Sequence, residues 1–188
     1  MMKKRLIMLL LGNMLFCVTA ADFKTDFSKT DIPGMKIKRK AAIENGVLKL
    51  NNGGDVMFSL NAEKPLSIGF QAKVLERHPA KHPTAWCFNL YGKDGLYAIF
   101  RFRADNLLES YSYNGNTKTG GMIRKISCKD GEKENVVIDI TNDSLTVKLN
   151  GAEIGKMKNP GLLPLTGINF NNYNVSWELD DLSVIQKP

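Results

Sequence analysis

Ile68, Phe70, Ala72 and Val74 occupy every second position of the segment 67–75, with Ser67, Gly69, Gln71 and Lys73 between them. A period of two sends one set of side chains to each face of a pleated strand. The same pattern recurs in short stretches over 47–50, 56–60, 84–91, 96–103, 107–113, 122–128, 136–141, 144–149, 168–171 and 175–185. Turn chemistry separates these stretches. Asn51-Asn52-Gly53-Gly54 divides the first two, and Lys93-Asp94-Gly95, Ala104-Asp105-Asn106, Asn142-Asp143 and Asn150-Gly151 close hairpins. Beyond the first twenty residues no segment keeps helical periodicity over three turns. Many strands, each with one oily face, predict an all-β chain: a two-sheet antiparallel β-sandwich whose inner faces interdigitate.

The N-terminus follows a different rule. Lys3, Lys4 and Arg5 precede an apolar run from Leu6 to Val18, and Val18-Thr19-Ala20 has the small-residue pattern of a signal-peptidase site. The run is too short to span a bilayer, which takes about 20 residues. Residues 1–20 therefore read as a cleaved leader and 21–188 as one domain, with a secreted or periplasmic destination and no stable membrane insertion. Phe16 before Cys17 departs from the small residue that lipoprotein processing requires.

Removal of the leader leaves 23 basic against 19 acidic residues, a net charge of +4 rather than +7. Lys36, Lys38, Arg39 and Lys40 form the single dense basic run, which reads as a solvated strand and loop; nucleic acid is not an expected partner. Two cysteines remain, Cys87 and Cys128. They either pair across a loop of about forty residues, worth roughly 4 kcal/mol, or stay as two buried thiols.

Several segments look like parts of one known family. They are Asp22-Phe23-Lys24-Thr25-Asp26-Phe27-Ser28, Glu44-Asn45-Gly46-Val47-Leu48-Lys49-Leu50, the Val147-Lys148-Leu149-Asn150-Gly151 hairpin and the closing Glu178-Leu179-Asp180-Asp181-Leu182-Ser183-Val184. With them the chain resembles the concanavalin A-like lectin/glucanase superfamily, in the branch of laminin-G-like and 3-keto-disaccharide hydrolase-like jelly rolls. The resemblance implies a secreted jelly roll with a surface suited to carbohydrate, polysaccharide included. It does not choose among binding modules, glycosidases and lyases.

Candidate site residues come from the hairpin centred on Asp105. It sets Tyr97 opposite Tyr113, Ile99 opposite Tyr111 and Arg101 opposite Glu109, so Tyr97, Arg101, Arg103, Glu109, Tyr111 and Tyr113 share one face. Such a polar-aromatic face suits a sugar, and equally suits an exposed cross-strand contact. The leading expectation is a non-catalytic carbohydrate-binding domain without cofactor. The alternatives are a glycosidase or lyase using Glu109 or Glu178, and an adhesive envelope component. Glu178-Leu179-Asp180 resembles the start of a glucanase E-x-D-x-E strand, but Leu182 stands where the third acid belongs, and a structural bulge at Asp180-Asp181 is the expected role.

His78 and His82 are spaced as a helical metal pair, yet Pro79 and Pro83 oppose a helix, so no metal site is expected. Asp130 and Asp143 lack the dense oxygen spacing of a calcium loop. The amide-rich segments 113–117 and 169–174 read as turns, with a ligand-bearing rim as the other option. Trp86 and Trp177 alternate with apolar neighbours and are expected in the core.

Overall fold

The computed structural model describes residues 22–79 and 84–188; the leader and His82 lie outside them. Thirteen strands follow one another: β1 (Phe23–Thr25), β2 (Met35–Glu44), β3 (Val47–Ala62), β4 (Leu66–Arg77), β5 (Ala85–Tyr91), β6 (Leu96–Arg103), β7 (Leu107–Asn114), β8 (Thr117–Lys125), β9 (Lys133–Ile140), β10 (Ser144–Leu149), β11 (Ala152–Lys158), β12 (Leu165–Tyr173) and β13 (Val175–Gln186). They hydrogen-bond in the order β11-β10-β9-β4-β13-β3-β12-β5-β6-β7-β8, with β1 added to β13 and β2 to β3.

This ribbon of antiparallel strands folds over on itself at β3. Leu48–Leu50 of β3 pairs with β13 in a back layer, while Asp55–Ser59 pairs with β12 in a front layer. Asn51–Gly54, expected as a turn between two strands, is instead a bend inside one strand of 16 residues. The reason lies on a distant strand. Asn172 Oδ1 accepts bonds from Gly53 N (2.6 Å) and Gly54 N (3.2 Å), and its Nδ2 donates to the carbonyls of Leu50 (3.1 Å) and Asn51 (3.0 Å). A Cβ on Gly54 would stand 2.8 Å from Asn51 O and 2.9 Å from Leu50 Cβ, so the bend requires glycine.

The two layers meet through the side chains that alternation assigned inward. Phe70 of β4 packs edge-on against Phe88 (5.6 Å) and Phe170 (5.2 Å) of the front layer. Trp86 stacks on Phe102 at 3.9 Å and on Trp177 at 5.2 Å, and both tryptophans are buried. Burying such a side chain contributes roughly 2–3 kcal/mol, which is why the parity of each strand is firmly set.

Positive φ values mark the expected hairpins at Asp94, Gly95, Asn106, Asn150 and Gly151. The bulge at Asp180-Asp181 is present as well: the register of β13 on β4 shifts between Asp180 and Ser183, and Asp180 Oδ1 caps the Asp181 amide at 2.9 Å. Two strands depart from the sequence reading. β2 continues as a strand through the whole basic run, where a solvated strand and loop was expected, and it is largely exposed. β8 starts at Thr117 rather than residue 122, since the polar stretch 117–121 is held by pairing with β7 and not by an oily face. The cysteines are free thiols with different neighbours: Cys87 sits on β5 near Arg101 and Glu109, and Cys128 follows β8 near Arg77, Asp130 and Glu134. Burial pushes each thiol up to about 12.

Candidate functional site

On β5, β6 and β12 the residues between core positions point away from the core, and antiparallel registers align them across the front layer. One row runs Asp55, Asn171, Cys87, Arg101, Glu109 from β3 to β7. The next runs Met57, Asn169, Asn89, Ile99, Tyr111, and a third contains Tyr91, Tyr97 and Tyr113. The hairpin register is the one that alternation predicts, with Arg101 opposite Glu109 and Tyr97 opposite Tyr113. All six predicted residues lie on this outer face and are half-buried rather than sealed.

Its floor is an amide network. Asn169 Nδ2 donates to Asp55 Oδ1 (2.6 Å) and Val56 O (2.9 Å), and its Oδ1 accepts from Asn89 (2.9 Å) and Asn171 (2.7 Å). Asn89 and Asn169 are 8% and 3% exposed, sunk among longer neighbours. The network leaves ends untied. Asn89 Oδ1, Asn171 Oδ1 and Arg101 Nε are buried and have no hydrogen-bond partner within the protein. Buried polar atoms are nearly always satisfied, and leaving one unpaired costs about 1–3 kcal/mol. Asn171 and Arg101 belong to one row, on either side of Cys87, and Asn89 to the next; Gln71 Oε1 and Trp177 Nε1 are unpartnered elsewhere.

The aromatic side of the face is less open than its composition implies. Tyr97 stacks on Tyr113 at 4.7 Å and leans on Tyr91 at 6.2 Å, so these rings cover one another. Lys118 Nζ stands 3.7 Å over the Tyr111 ring and Arg101 5.8 Å from its centroid, two cation–π contacts. Burial raises the Tyr91 hydroxyl above its ordinary value. Arg103 forks onto Asp105 (3.0 and 2.6 Å) and also bonds Glu109, while Arg101 lies 3.9 Å from Glu109. The bonds that Arg103 donates to Asp105 and Glu109 raise its pKa above the ordinary value. Arg103 thus braces the turn, and Arg101 is the cation facing the network.

Acids are sparse here. Asp55 and Glu109 share a row but stand four strand spacings apart, about 19 Å at ~4.8 Å each. Paired-carboxylate hydrolysis works at roughly 5–9.5 Å. Glu178 lies on β13 of the back layer, between Lys49 and Lys73, and Asp180 pairs with Lys133 at 3.0 Å. His78 Nε2 bonds Ser176 Oγ at 3.0 Å. Among the described residues no group of three or more His, Cys, Asp or Glu side chains is placed to hold a metal ion.

Sequence reasoning missed Asp55, Asn89 and Tyr91; it read 168–171 as a strand and 169–174 as turns, with a ligand-bearing rim as the other option. Asn169 and Asn171 are strand residues whose parity opposes Ile168 and Phe170, as Cys87, Asn89 and Tyr91 oppose Trp86, Phe88 and Leu90. Parity was therefore a usable signal; which strands adjoin was not.

No sequence-family model matches the chain, and no curated protein matches it in sequence. Solved structures do match in shape. An apo Crh5 transglycosylase superposes with TM-score 0.74 at 9% identity, over 92% of this chain and 87% of its own. A Bacillus licheniformis β-glucanase gives TM-score 0.74 at 10% identity, over 90% and 100%. The carbohydrate-binding module CBM66 from Bacillus subtilis gives 0.63 at 9% identity, over 81% and 96%. These neighbours are carbohydrate-active proteins built on one architecture. At such identities the likeness speaks for the fold alone: the chain has a concanavalin A-like jelly-roll fold.

Proposed function

We propose that this chain is an exported, non-catalytic domain that binds carbohydrate on the outer face of its front layer. The observation that carries the reading is the set of unpartnered buried atoms, Asn89 Oδ1, Asn171 Oδ1 and Arg101 Nε, beside the tyrosine row. A sugar hydroxyl donates and accepts at once, so it is a suitable partner for an amide oxygen as well as for a guanidinium N–H. The tyrosines flank that floor and add hydroxyls and ring edges. Carbohydrate-active neighbours of the same fold support the substrate class.

The separation of Asp55 from Glu109, and the engagement of Glu109 by two arginines, favour binding over hydrolysis. Among the described residues the large exposed apolar side chains Ile37, Leu75, Ile123, Tyr173 and Ile185 fall on five different strands, which gives less support to the adhesive reading. Export rests on the leader at 1–20, and the mature protein is expected to begin at Ala21 or Asp22. Glycan-array and affinity-gel binding test the reading. Asn89→Ala, Arg101→Ala and Tyr111→Ala are expected to abolish retention while the protein stays folded. Retention unchanged in all three would place the site elsewhere, and release of reducing ends from the bound glycan would replace binding by catalysis.

A further inference from the structure

β8 is the outer edge of the front layer, and it carries one residue more than its pairing with β7 needs. Ser112 pairs with Gly120 but Tyr113 with Lys118, so Thr119 is left over as a bulge and donates inward to Ser112 Oγ at 3.1 Å. Unbroken alternation would set Thr119 opposite Tyr113 and turn Lys118 to the other side. The extra residue aims Lys118 onto the outer face, with Tyr111 and Tyr113. Its ammonium comes to rest 3.7 Å over the Tyr111 ring. Gly121, the partner of Tyr111, keeps that place open: a Cβ there would stand 2.9 Å from Tyr111 Cδ1 and 3.4 Å from Lys118 Cε.

A ring face on which a neutral sugar could stack is thus taken by a cation, and Tyr97 and Tyr113 stack on each other. What this end of the face presents is positive charge. The Arg101 guanidinium lies 5.8 Å from the same Tyr111 centroid, so two cations attend one ring, no farther apart than about a Debye length of ~8–10 Å, and their fields overlap. Glu109 does not neutralise them. It is bonded to Arg103, and Arg101 stands 3.9 Å off, beyond hydrogen-bond reach. Among the described residues Lys118 takes part in no ion pair. Both cations are within reach of a ligand, Lys118 being exposed and the Arg101 side chain 35% so. Ionised oxygens bind a guanidinium or an ammonium about twice as strongly as neutral ones do. We infer that the glycan held on the front-layer face is acidic, with its carboxylate or sulfate group bound by Arg101 and Lys118 beside Tyr111. This rests on the function proposed above and adds the ligand class to it.

A lysine on an edge strand also deters strand addition, a role that needs no ligand and predicts no preference for acidic sugars. Calorimetric titration of the mature protein with matched acidic and neutral oligosaccharides separates the two. The pairs are tetragalacturonate against galactotetraose, glucuronate-bearing against native cello-oligosaccharides, and sulfated against desulfated carrageenan oligosaccharides. At least one acidic member is expected to bind about tenfold or more tighter than its neutral partner, with a margin that shrinks as sodium chloride is added. The tighter acidic member identifies the acid group. Lys118→Met keeps the stem over the ring without the charge and should narrow the margin about fivefold or more, and Lys118→Arg should restore it. Lys156→Ala removes an exposed lysine opposite Thr146 on the back layer and should leave the margin unchanged. Acidic members bound no better than neutral ones, or not at all, would overturn the inference; neutral binding that is lost in Asn89→Ala would then still uphold carbohydrate binding on this face. Acidic binding indifferent to Asn89→Ala would refute the face and the inference together, and an equal narrowing in Lys156→Ala would reduce the preference to net charge and overturn the inference alone.

Discussion

Replacing Asn169 by alanine removes the hub of the front-layer amide network. Four hydrogen bonds go at once: to Asp55 at 2.6 Å, to Val56 O at 2.9 Å, from Asn89 at 2.9 Å and from Asn171 at 2.7 Å. At about 1 kcal/mol net for each neutral bond and about 2 for the one to a carboxylate, the loss is about 3–5 kcal/mol. The position is 3% exposed, so water cannot freely replace the amide. Domains of this kind are stable by about 5–15 kcal/mol, hence the variant should still fold and show a markedly lower urea midpoint with an unchanged slope. Buried Trp86 and Trp177 report the transition by fluorescence. Asn89→Ala is the control. It loses one bond but also deletes an unpartnered oxygen, and should cost no more than about 1 kcal/mol. If the two variants prove equally stable, within about 1 kcal/mol of the parent, the network does not hold the face together and the reasoning fails.

Other consequences are open to measurement. Gly54→Ala should lower stability by about 1–3 kcal/mol, because the new Cβ meets Asn51 O and Leu50 Cβ; an unaltered melting temperature would show that the bend needs no glycine. Burial pushes the Asp139 carboxyl up, but bonds from Lys187, Ser67 and Lys148 outweigh it and hold the group well below its ordinary value of 3.8. Its contribution is then complete above that ordinary value and fades as pH falls through the lowered one. The stability curves of the parent and Asp139→Asn should converge on the acid side, whereas parallel curves across that range would contradict the assignment. Unfolded mature protein should titrate two thiols without reductant, and Cys87, buried and pushed up to about 12, should label in the native state only as fast as the domain opens. Failure to find two thiols would mean that Cys87 and Cys128 pair.

Much of the site's hairpin was legible before any coordinates. Alternation in 96–103 and 107–113, joined by a three-residue turn, allows one register that keeps Phe100, Phe102 and Leu108 inward, and that register brings Arg101 to Glu109 and Tyr97 to Tyr113. The edges were harder. The basic middle of β2 and the first half of β8 have no oily face, so the hydrogen bonds of β3 and β7 carry them as strands, while Met35, Ala41 and Ile43 pack the two ends of β2 on the core.

Local chemistry thus settled which side of each ribbon meets solvent, because burying the wrong parity would strand polar groups in the core and leave Phe and Trp outside. It could not say which ribbons lie side by side. Asp55, Asn89, Asn169 and Asn171 come from three strands far apart along the chain, and Asn172 clamps a bend more than a hundred residues away. Those meetings are set by the order in which the strands pair across the folded sheet, a long-range choice made by the joint packing of two layers that no short stretch of residues encodes.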